Sequence, residues 1–395
     1  MSKHLLLTGC TGLLGQYLLR DLLLESVPLA VLIRARKGEP AAERLNQVVG
    51  YWEGELGRHL PRPTCLEGDI TLPGFGLSGR DRGWVARNCG SVLHNAASLT
   101  FAGKDRAKDP WLSNLTGTAN VLDLCRHVGL RELHYVSTAY VCGQRAGLIG
   151  EDEFDQGQEF RNDYENCKFE AEKLVRAADF LDRATVYRPA IIVGDSRSGY
   201  TTTYHGLYAY LYFGHLCTLL RPRDADGRLR VDLRVNLTGD ECRNLVPVDW
   251  VSAVTAHVLQ HPELHGRTYQ LTPLRPVTMH ELEAAVTRSF NLYGLVFAGT
   301  DGLGKGDLND LEKMFYEYVA QYQPYWNEEP RFDCRNTRSA APHLPCPPVD
   351  AACLSRLIDF AVRDQWGKGK KKKPRPATPT IAVDAAASTA PQAAE

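Results

Sequence analysis

The sequence predicts an α/β fold in which a doubly wound parallel sheet is joined to a smaller, discontinuous C-terminal lobe. Three observations carry this. An N-terminal apolar run stops at a glycine-rich turn, short apolar runs then alternate with helical patterns as far as residue 193, and that rhythm disappears afterwards. The 395 residues exceed a single typical core, which fits one large sheet unit with a second lobe.

The first strand, His4 to Leu7, runs into a turn with glycines at 9, 12 and 15, and a helix-compatible run follows from Leu13 to Leu24. Strand, glycine turn and helix make the opening unit of a dinucleotide-binding, Rossmann-type sheet. Gly9 allows the tight turn, Gly12 lets backbone amides approach a pyrophosphate, and Gly15 lets helix and strand pack closely. Candidate cofactor contacts are therefore Thr8, Gly9, Thr11, Gly12, Leu13, Leu14 and Gly15. The spacing is GxxGxxG, which an ordinary strand-helix turn also satisfies, so later residues decide.

Pro28 to Ile33 reads as the second strand and ends in Arg34-Ala35-Arg36-Lys37. An acidic residue at that point would bind the ribose 2′-hydroxyl of NAD, whereas arginine accommodates the 2′-phosphate of NADP. No Asp or Glu stands between Glu25 and Glu39, so Arg34 and Arg36 point to NADPH, with NADH as the alternative. Cys65 to Ile70 forms a third strand that leaves Asp69 and Ile70 where adenine would lie. Ser91 to Ala97 is the fourth, and its small residues Asn95, Ala96 and Ala97 let the chain pass close to the cofactor. Asn114 to Val128 has helical period with Ser113 as N-cap. Leu133 to Thr138 is a fifth strand ending in two hydroxyls, and Arg161 to Asp179 is a charged amphipathic helix. Thr185 to Val193 is a sixth strand interrupted by Pro189, where the chain is expected to bend out of the sheet.

In the second half, residues 199–220 are rich in tyrosine and leucine. They suit a lid over an apolar substrate, packing of the lobe on the sheet, or contact with a membrane surface. Helices are expected at Asp249 to Gln260 with Asp249 as cap, at His280 to Phe290 with Thr278 and Glu281 as a capping box, at Leu308 to Gln321, and at Leu354 to Val362. From Gly367 the chain is low-complexity Lys, Pro, Ala and Thr, which builds no core. The expected division is a cofactor-binding domain at 1–198, a substrate lobe at 199–366 with helix 249–260 returning to the first domain, and a disordered tail at 367–395.

A net charge of −1 makes no electrostatic case for nucleic acid as partner. The 11 cysteines are scattered and form no CxxC pair, no secretory signal opens the chain, and no run of 18 apolar residues occurs. The expectation is a cytoplasmic protein with reduced thiols and no transmembrane segment. The histidines, including His94, His205 and His215, show no metal spacing, so no metal is expected.

The sharpest chemical signal is Tyr164-Glu-Asn-Cys-Lys168. Residues four apart share one helix face, so phenol and ammonium point into the same space. A fixed cation stabilises a phenolate and would lower the tyrosine pKa, tuning it to exchange a proton with a carbonyl oxygen while hydride moves. Thr138 can hydrogen-bond the same oxygen.

TGCTGLLG (8–15), Asp69, HNAA (94–97), Asn114, VSTAYVCG (136–143), YENCK (164–168) and YRPAIIVG (187–194) together resemble the extended short-chain dehydrogenase/reductases over residues 3 to about 260. The resemblance implies Thr138, Tyr164 and Lys168 as the catalytic set. It implies that Lys168 also holds the nicotinamide ribose, that Asn114 supports a proton-relay water, and that Tyr164, Lys168 and Pro189 border the cofactor. The resemblance also implies Thr138 over Ser137, because Thr138 stands five residues before Gly143, where that superfamily places the reactive hydroxyl. Within the superfamily the chain looks most like the fatty acyl-CoA reductase and thioester reductase branch, through LIRA (32–35) with Glu43-Arg44-Leu45, EGDIT (67–71), GDSRSG (194–199) and NLVPVDWV (244–251). Cys167 departs from the serine usual there, and residues 270 to 366 do not match the fatty acyl-CoA reductase tail domain.

The resemblance implies NADPH-dependent hydride delivery to a carbonyl of a lipid-like substrate. The favoured substrate is an acyl thioester, presented on CoA or a carrier protein and reduced to aldehyde or alcohol. The alternatives are a sterol or 3-hydroxysteroid dehydrogenase, a nucleotide-sugar epimerase or dehydratase, and a non-enzymatic NADPH-binding redox sensor. Homodimerisation is expected from the superfamily's habit of pairing helices, not from a feature of this sequence.

Overall fold

The computed structural model describes residues 3–300, 303–326 and 329–371. The alternation expected from the sequence appears as β1 (His4–Thr8), α1 (Leu13–Leu24), β2 (Leu29–Ile33), α2 (Ala41–Leu56), β3 (Thr64–Glu67), α3 (Gly79–Asn88), β4 (Cys89–His94), α4 (Gly117–Val128) and β5 (Glu132–Val136). After the short β6 (Leu148–Ile149) come α5 (Asp163–Arg176) and β7 (Arg183–Pro189). The seven-stranded sheet is parallel throughout, in the order β12-β7-β5-β4-β1-β2-β3, with β12 (Thr268–Leu271) added at the edge beside β7.

Both faces of this sheet are covered, which is why β1 and β2 read as unbroken apolar runs. Leu5 and Leu7 point to one face and pack with Leu18, Val49 and Val254; Leu6 points to the other and packs with Val85, Val121 and Val175. Each such leucine taken out of water contributes about 2 kcal/mol. Two expected caps are corrected. Ser113 lies inside a π-helical turn, Leu112–Thr116, that leads into α4, and its backbone N–H donates to the Asp109 carboxylate at 3.2 Å. Asp249 lies inside α7 (Val248–Gln260), where its carboxylate accepts from the backbone N–H and hydroxyl of Ser196. Ser113 is already within the helical turn and so cannot cap it, and Ser196 takes the Asp249 carboxylate from its local role.

At Pro189 the chain leaves the sheet, as the proline requires. The next strand, β8 (Ile191–Val193), pairs instead with β11 (Leu245–Pro247). The lobe packs α6 (Leu207–Leu220), β9 (Leu229–Val235), α8 (Met279–Phe290), β14 (Leu292–Phe297), α9 (Asp310–Tyr318) and α11 (Ala351–Arg363) around one core. The short β10 (Cys242–Arg243) pairs with β13 (Val277–Thr278), where Thr278 and Glu281 form the expected capping box. α7 returns to α1, where the Ser252 hydroxyl donates to Asp21 at 2.6 Å; β12 follows it into the sheet with α10 (Arg335–Ala340) on it, so both belong structurally to the first unit. β15 (Arg331–Phe332) pairs with β6.

Within the aromatic stretch Tyr208, Leu211 and Phe213 are buried in the lobe core and Tyr200 in the core of the sheet unit, while Leu219 and Leu220 are exposed. No helix among the described residues is long and apolar enough to cross a membrane. The described cysteines are all free thiols. Ordered chain continues past the expected boundary at 367, since Gln365–Lys371 forms a short turn that buries Trp366 against Tyr204 and Tyr212. The rest of the expected tail, 372–395, lies outside the described residues.

Candidate active site

The site is built on the carboxyl ends of β1, β4 and β5. Gly9 has φ +74°, and a Cβ there would stand 2.7 Å from the Ala96 backbone, so the turn after β1 can approach the segment after β4 this closely only with glycine at residue 9. A Cβ on Gly15 would overlap the Gly9 carbonyl, whereas one on Gly12 would meet nothing closer than that oxygen at 3.5 Å. Residues 9 and 15 thus serve the chain's own packing, and Gly12 keeps the approach open. Among the described residues no side chain caps the N-terminus of α1, and its first turn has no acidic residue, leaving the helix's positive end available to a pyrophosphate. That cradle fits a dinucleotide. Thr8 fixes its far side by accepting from the backbone N–H groups of Asn95 and Ala96, both at 3.1 Å. His94 is buried between Thr8 (2.8 Å) and Thr118 (3.1 Å), and burial pushes its imidazole down to about 3, so it is a neutral structural group.

At the end of β2, Arg34 pairs with Asp69 at 3.4 Å. Arg44 of α2, which the sequence reading did not single out as a contact, donates to Thr11 Oγ1 at 3.0 Å and to the Arg34 carbonyl. Burial, then the nearby charges of Arg36 and Arg34, weakens the hold of Arg44 on its proton. Arg34, Arg36 and Arg44 thus line one end of the cleft, with Asp69 against Arg34 and Glu39 3.9 Å from Arg44.

Past β5, the Ser137 hydroxyl donates inward to Glu172 at 2.6 Å; Glu172 also takes two hydrogen bonds each from Arg188 and Arg176. Thr138 faces the cleft instead, and its Oγ1 accepts from the Tyr140 N–H at 3.3 Å. α5 starts at Asn162, whose side chain accepts from the Glu165 N–H, so Tyr164 falls in the first turn and Lys168 one turn later. Lys168 Nζ donates to the Tyr135 hydroxyl and the Val136 carbonyl, both at 2.8 Å, and burial holds it at about 8. Tyr164 does not show the lowered pKa expected from Lys168. Desolvation pushes it well above its ordinary value, with Cys167 and Glu165 adding to the rise, against a hydrogen bond with Thr138. The ammonium is directed at Tyr135, so burial wins.

Asn114 is the one expected site residue that does not line the cleft. Its amide is committed to Ser98, accepting from the N–H at 2.7 Å and donating to the carbonyl at 3.0 Å, and it also donates to Cys167 Sγ at 3.2 Å. It thereby clamps the loop bearing Phe101, whose ring meets Tyr164 edge-on at 5.9 Å. Cys167, pushed up to about 11, stays a thiol.

All the other expected residues share one cleft of about 530 Å³: Thr8, Gly9, Thr11 to Gly15, Arg34, Arg36, Asp69, Ile70, Asn95 to Ala97, Thr138, Tyr164, Lys168 and Pro189. Its remaining wall is largely apolar, from Ile191, Ile192, Leu207, Met279 and Leu282, with His205 and Tyr210 beside them. Through Leu207, Tyr210, Met279 and Leu282 it adjoins an apolar cavity of about 70 Å³ inside the lobe. Sequence reasoning missed Tyr140, Arg243, Tyr322, Tyr325 and Glu329 on this wall. The last three come from the segment that matched no known tail, and no spacing signal marks them. Away from the cleft, Glu132, His134 and His265 converge at the start of β5, with Arg183 also on Glu132; this grouping spans three segments and so left no spacing to read.

The sequence model described as male sterility protein matches residues 7–255. The nonribosomal peptide synthetase asaC of Aspergillus flavus is 27% identical over 293 residues, covering 71% of this chain and 27% of that protein. Fatty acyl-CoA reductase wat of Drosophila melanogaster is 27% identical over 240 residues, covering 52% of this chain and 46% of that one. The chain therefore spans between about a quarter and a half of the length of these curated relatives. Among solved structures, the terminal R domain of the myxalamid biosynthetic pathway superposes with a TM-score of 0.73 at 25% identity, covering 92% of this chain and 91% of that domain.

Proposed function

The chain belongs to the male sterility protein family, the fatty acyl-CoA reductase-like branch of the extended short-chain dehydrogenase/reductases, and from that premise we propose that it is an NADPH-dependent reductase of acyl thioesters. The observation that carries this reading is one cleft in which Tyr164, beside Thr138, stands between the glycine cradle and an apolar wall. A nucleotide sugar would call for polar partners where Ile191, Ile192, Leu207, Met279 and Leu282 stand.

In this reading the backbone of residues 9–15 holds the pyrophosphate, Arg34, Arg36 and Arg44 hold the 2′-phosphate, and Asp69 and Ile70 flank the adenine. Asn95 to Ala97, Lys168 and Pro189 border the nicotinamide half. Reduced nicotinamide, when bound, supplies hydride to the thioester carbonyl. Thr138 orients the carbonyl oxygen. Tyr164, which burial keeps protonated across the neutral range, gives that oxygen its proton. Lys168, fixed by Tyr135 and Val136, offers its remaining N–H to the ribose. Asn114 keeps the Phe101 loop in place beside Tyr164. The relatives named above, a fatty acyl-CoA reductase and a peptide synthetase, support a thioester on CoA or on a carrier protein.

The test is NADPH oxidation, followed at the nicotinamide absorbance, with a long-chain acyl-CoA and with a 3-ketosteroid, using Tyr164→Phe as the blank. Consumption with the thioester that vanishes in the variant is expected. Consumption with the ketosteroid alone would replace the substrate and keep the chemistry, and tight NADPH binding with neither consumed would favour a sensor.

A further inference from the structure

In the lobe-side half of the cleft, two buried side chains of opposite charge each keep one atom unbonded. Arg243, 6% exposed at the end of β10, donates from Nη1 to the Cys242 carbonyl at 2.6 Å, while its Nη2 has no partner among the described residues. Glu329 is 5% exposed. Its Oε2 accepts from the Tyr140 hydroxyl at 2.7 Å and from the backbone and side-chain N–H groups of Asn244, both at 2.9 Å; Oε1 accepts from none among the described residues. Both residues line the cleft, and the two orphan atoms do not bond one another. A charged group buried without its hydrogen bonds is costly, and a fold keeps such a pair on a cleft wall where a ligand completes it.

The two atoms also specify what completes them. Arg243 Nη2 can only donate, and carboxylate Oε1 can only accept. A ligand that offers an acceptor to the first and a donor to the second completes both; a hydrocarbon chain cannot do this, and a secondary amide, with its carbonyl and N–H pointing to opposite sides, can. The carboxylate is held in register with the proposed reacting groups: Tyr140 bonds Glu329 through its hydroxyl and Thr138 through its N–H at 3.3 Å, and its ring meets Tyr325, which in turn lies against Phe101 beside Tyr164. We propose that Arg243 and Glu329 form an amide-binding subsite for the thioester substrate, Arg243 donating to the amide carbonyl and Glu329 accepting from its N–H. This rests on the thioester reductase reading. Such an amide has two sources: the pantetheine arm that delivers the acyl group, or an acyl group that is itself an N-acylaminoacyl unit.

Three thioesters separate these. Undecanoyl S-ethyl thioester has no amide, undecanoyl N-acetylcysteamine thioester carries one on the thiol side, and N-octanoylglycyl S-ethyl thioester carries one in a chain of matching length. With wild type, an amide-bearing ester should exceed the plain one in kcat/KM by about ten-fold or more, the scale of a hydrogen bond to a charged group. Arg243→Met and Glu329→Gln should each collapse that ratio. A preference for the N-acetylcysteamine ester assigns the subsite to the arm, and one for the N-octanoylglycyl ester assigns it to the acyl group. Equal kcat/KM for all three, or a preference that Arg243→Met leaves intact, overturns the subsite while the reductase reading stands. If wild type reduces no thioester, both fall. Should Glu329→Gln fail to fold, Arg243→Met decides, because a ratio within one folded variant is independent of how much protein is active.

Discussion

Lys168 lies 4.4 Å from the centroid of the Tyr135 ring and donates to that ring's own hydroxyl at 2.8 Å. With its second bond to the Val136 carbonyl, the ammonium is tied to the last two residues of β5, from which the chain runs on to Thr138. The helix that presents Tyr164 and the strand that presents Thr138 are thus locked to each other through a buried cation.

That cation sets a pH dependence. Burial holds Lys168 at about 8, below its ordinary 10.5, so the charged form prevails below about 8 and is lost above it. If the charge is needed, log kcat/KM is level at lower pH and falls above about 8. Tyr164 stays protonated across that range because burial pushes it up. A pH profile of wild type beside Lys168→Arg checks this: the arginine keeps its charge, so the falling limb should vanish, and a limb that persists belongs to another group. For stability the sign is opposite. Between about 8 and 10.5 the unfolded chain holds the proton more tightly, so this group's contribution to stability rises with pH in that window.

Tyr164→Phe should lower kcat by about a hundred-fold or more, the scale of a lost general acid, and leave NADPH affinity within about two-fold. The hydroxyl is the proposed proton donor, and the ring still packs against Phe101. Fluorescence titration of the cofactor beside steady-state turnover separates these effects. A parallel loss of binding would make the tyrosine structural.

Arg34→Ala should reduce the preference for NADPH over NADH by about ten-fold, since a charge-assisted bond to a phosphate is worth about 1.5–3 kcal/mol. The side chain is largely exposed and, among the described residues, pairs with Asp69 alone, so folding should be unaffected. The ratio of kcat/KM for the two cofactors measures the change. An unchanged ratio would remove Arg34 from the 2′-phosphate site and leave Arg36 and Arg44.

The parts of this site that were legible in sequence are those fixed within one strand-turn-helix unit. Gly9 and Gly15 make the close backbone approaches their spacing implies, and Tyr164 and Lys168 share a helix face because they are one turn apart. The chain's exit from the sheet at Pro189 and the Thr278-Glu281 capping box are equally local. What was not legible depends on partners far along the chain. Asp249 serves Ser196 and not its own helix, and Asn114 clamps Ser98. Arg44 reaches Thr11 across two elements, and Glu329 reaches Tyr140 across 189 positions. The Tyr164 pKa went the other way because desolvation depends on what covers the ring, which no spacing encodes.

The glycines allow a paired test of packing. Gly15 cannot accept a side chain, because its Cβ would overlap the Gly9 carbonyl within the cradle, and backbone cannot move aside as a flexible side chain can. Gly15→Ala should therefore cost about 3 kcal/mol or more and depress NADPH binding with it. Gly50 sits in the middle of α2, where a Cβ would meet nothing within 4 Å. There alanine only restricts the unfolded chain and favours the helix, so Gly50→Ala should gain about 0.5–1 kcal/mol and raise Tm by a few degrees. Thermal melts of both variants with and without NADPH check the pair. If Gly15→Ala melts like wild type and binds cofactor normally, the close approach of α1 to the turn is not what the fold depends on; if Gly50→Ala falls while Gly15→Ala holds, the roles of the two glycines are reversed.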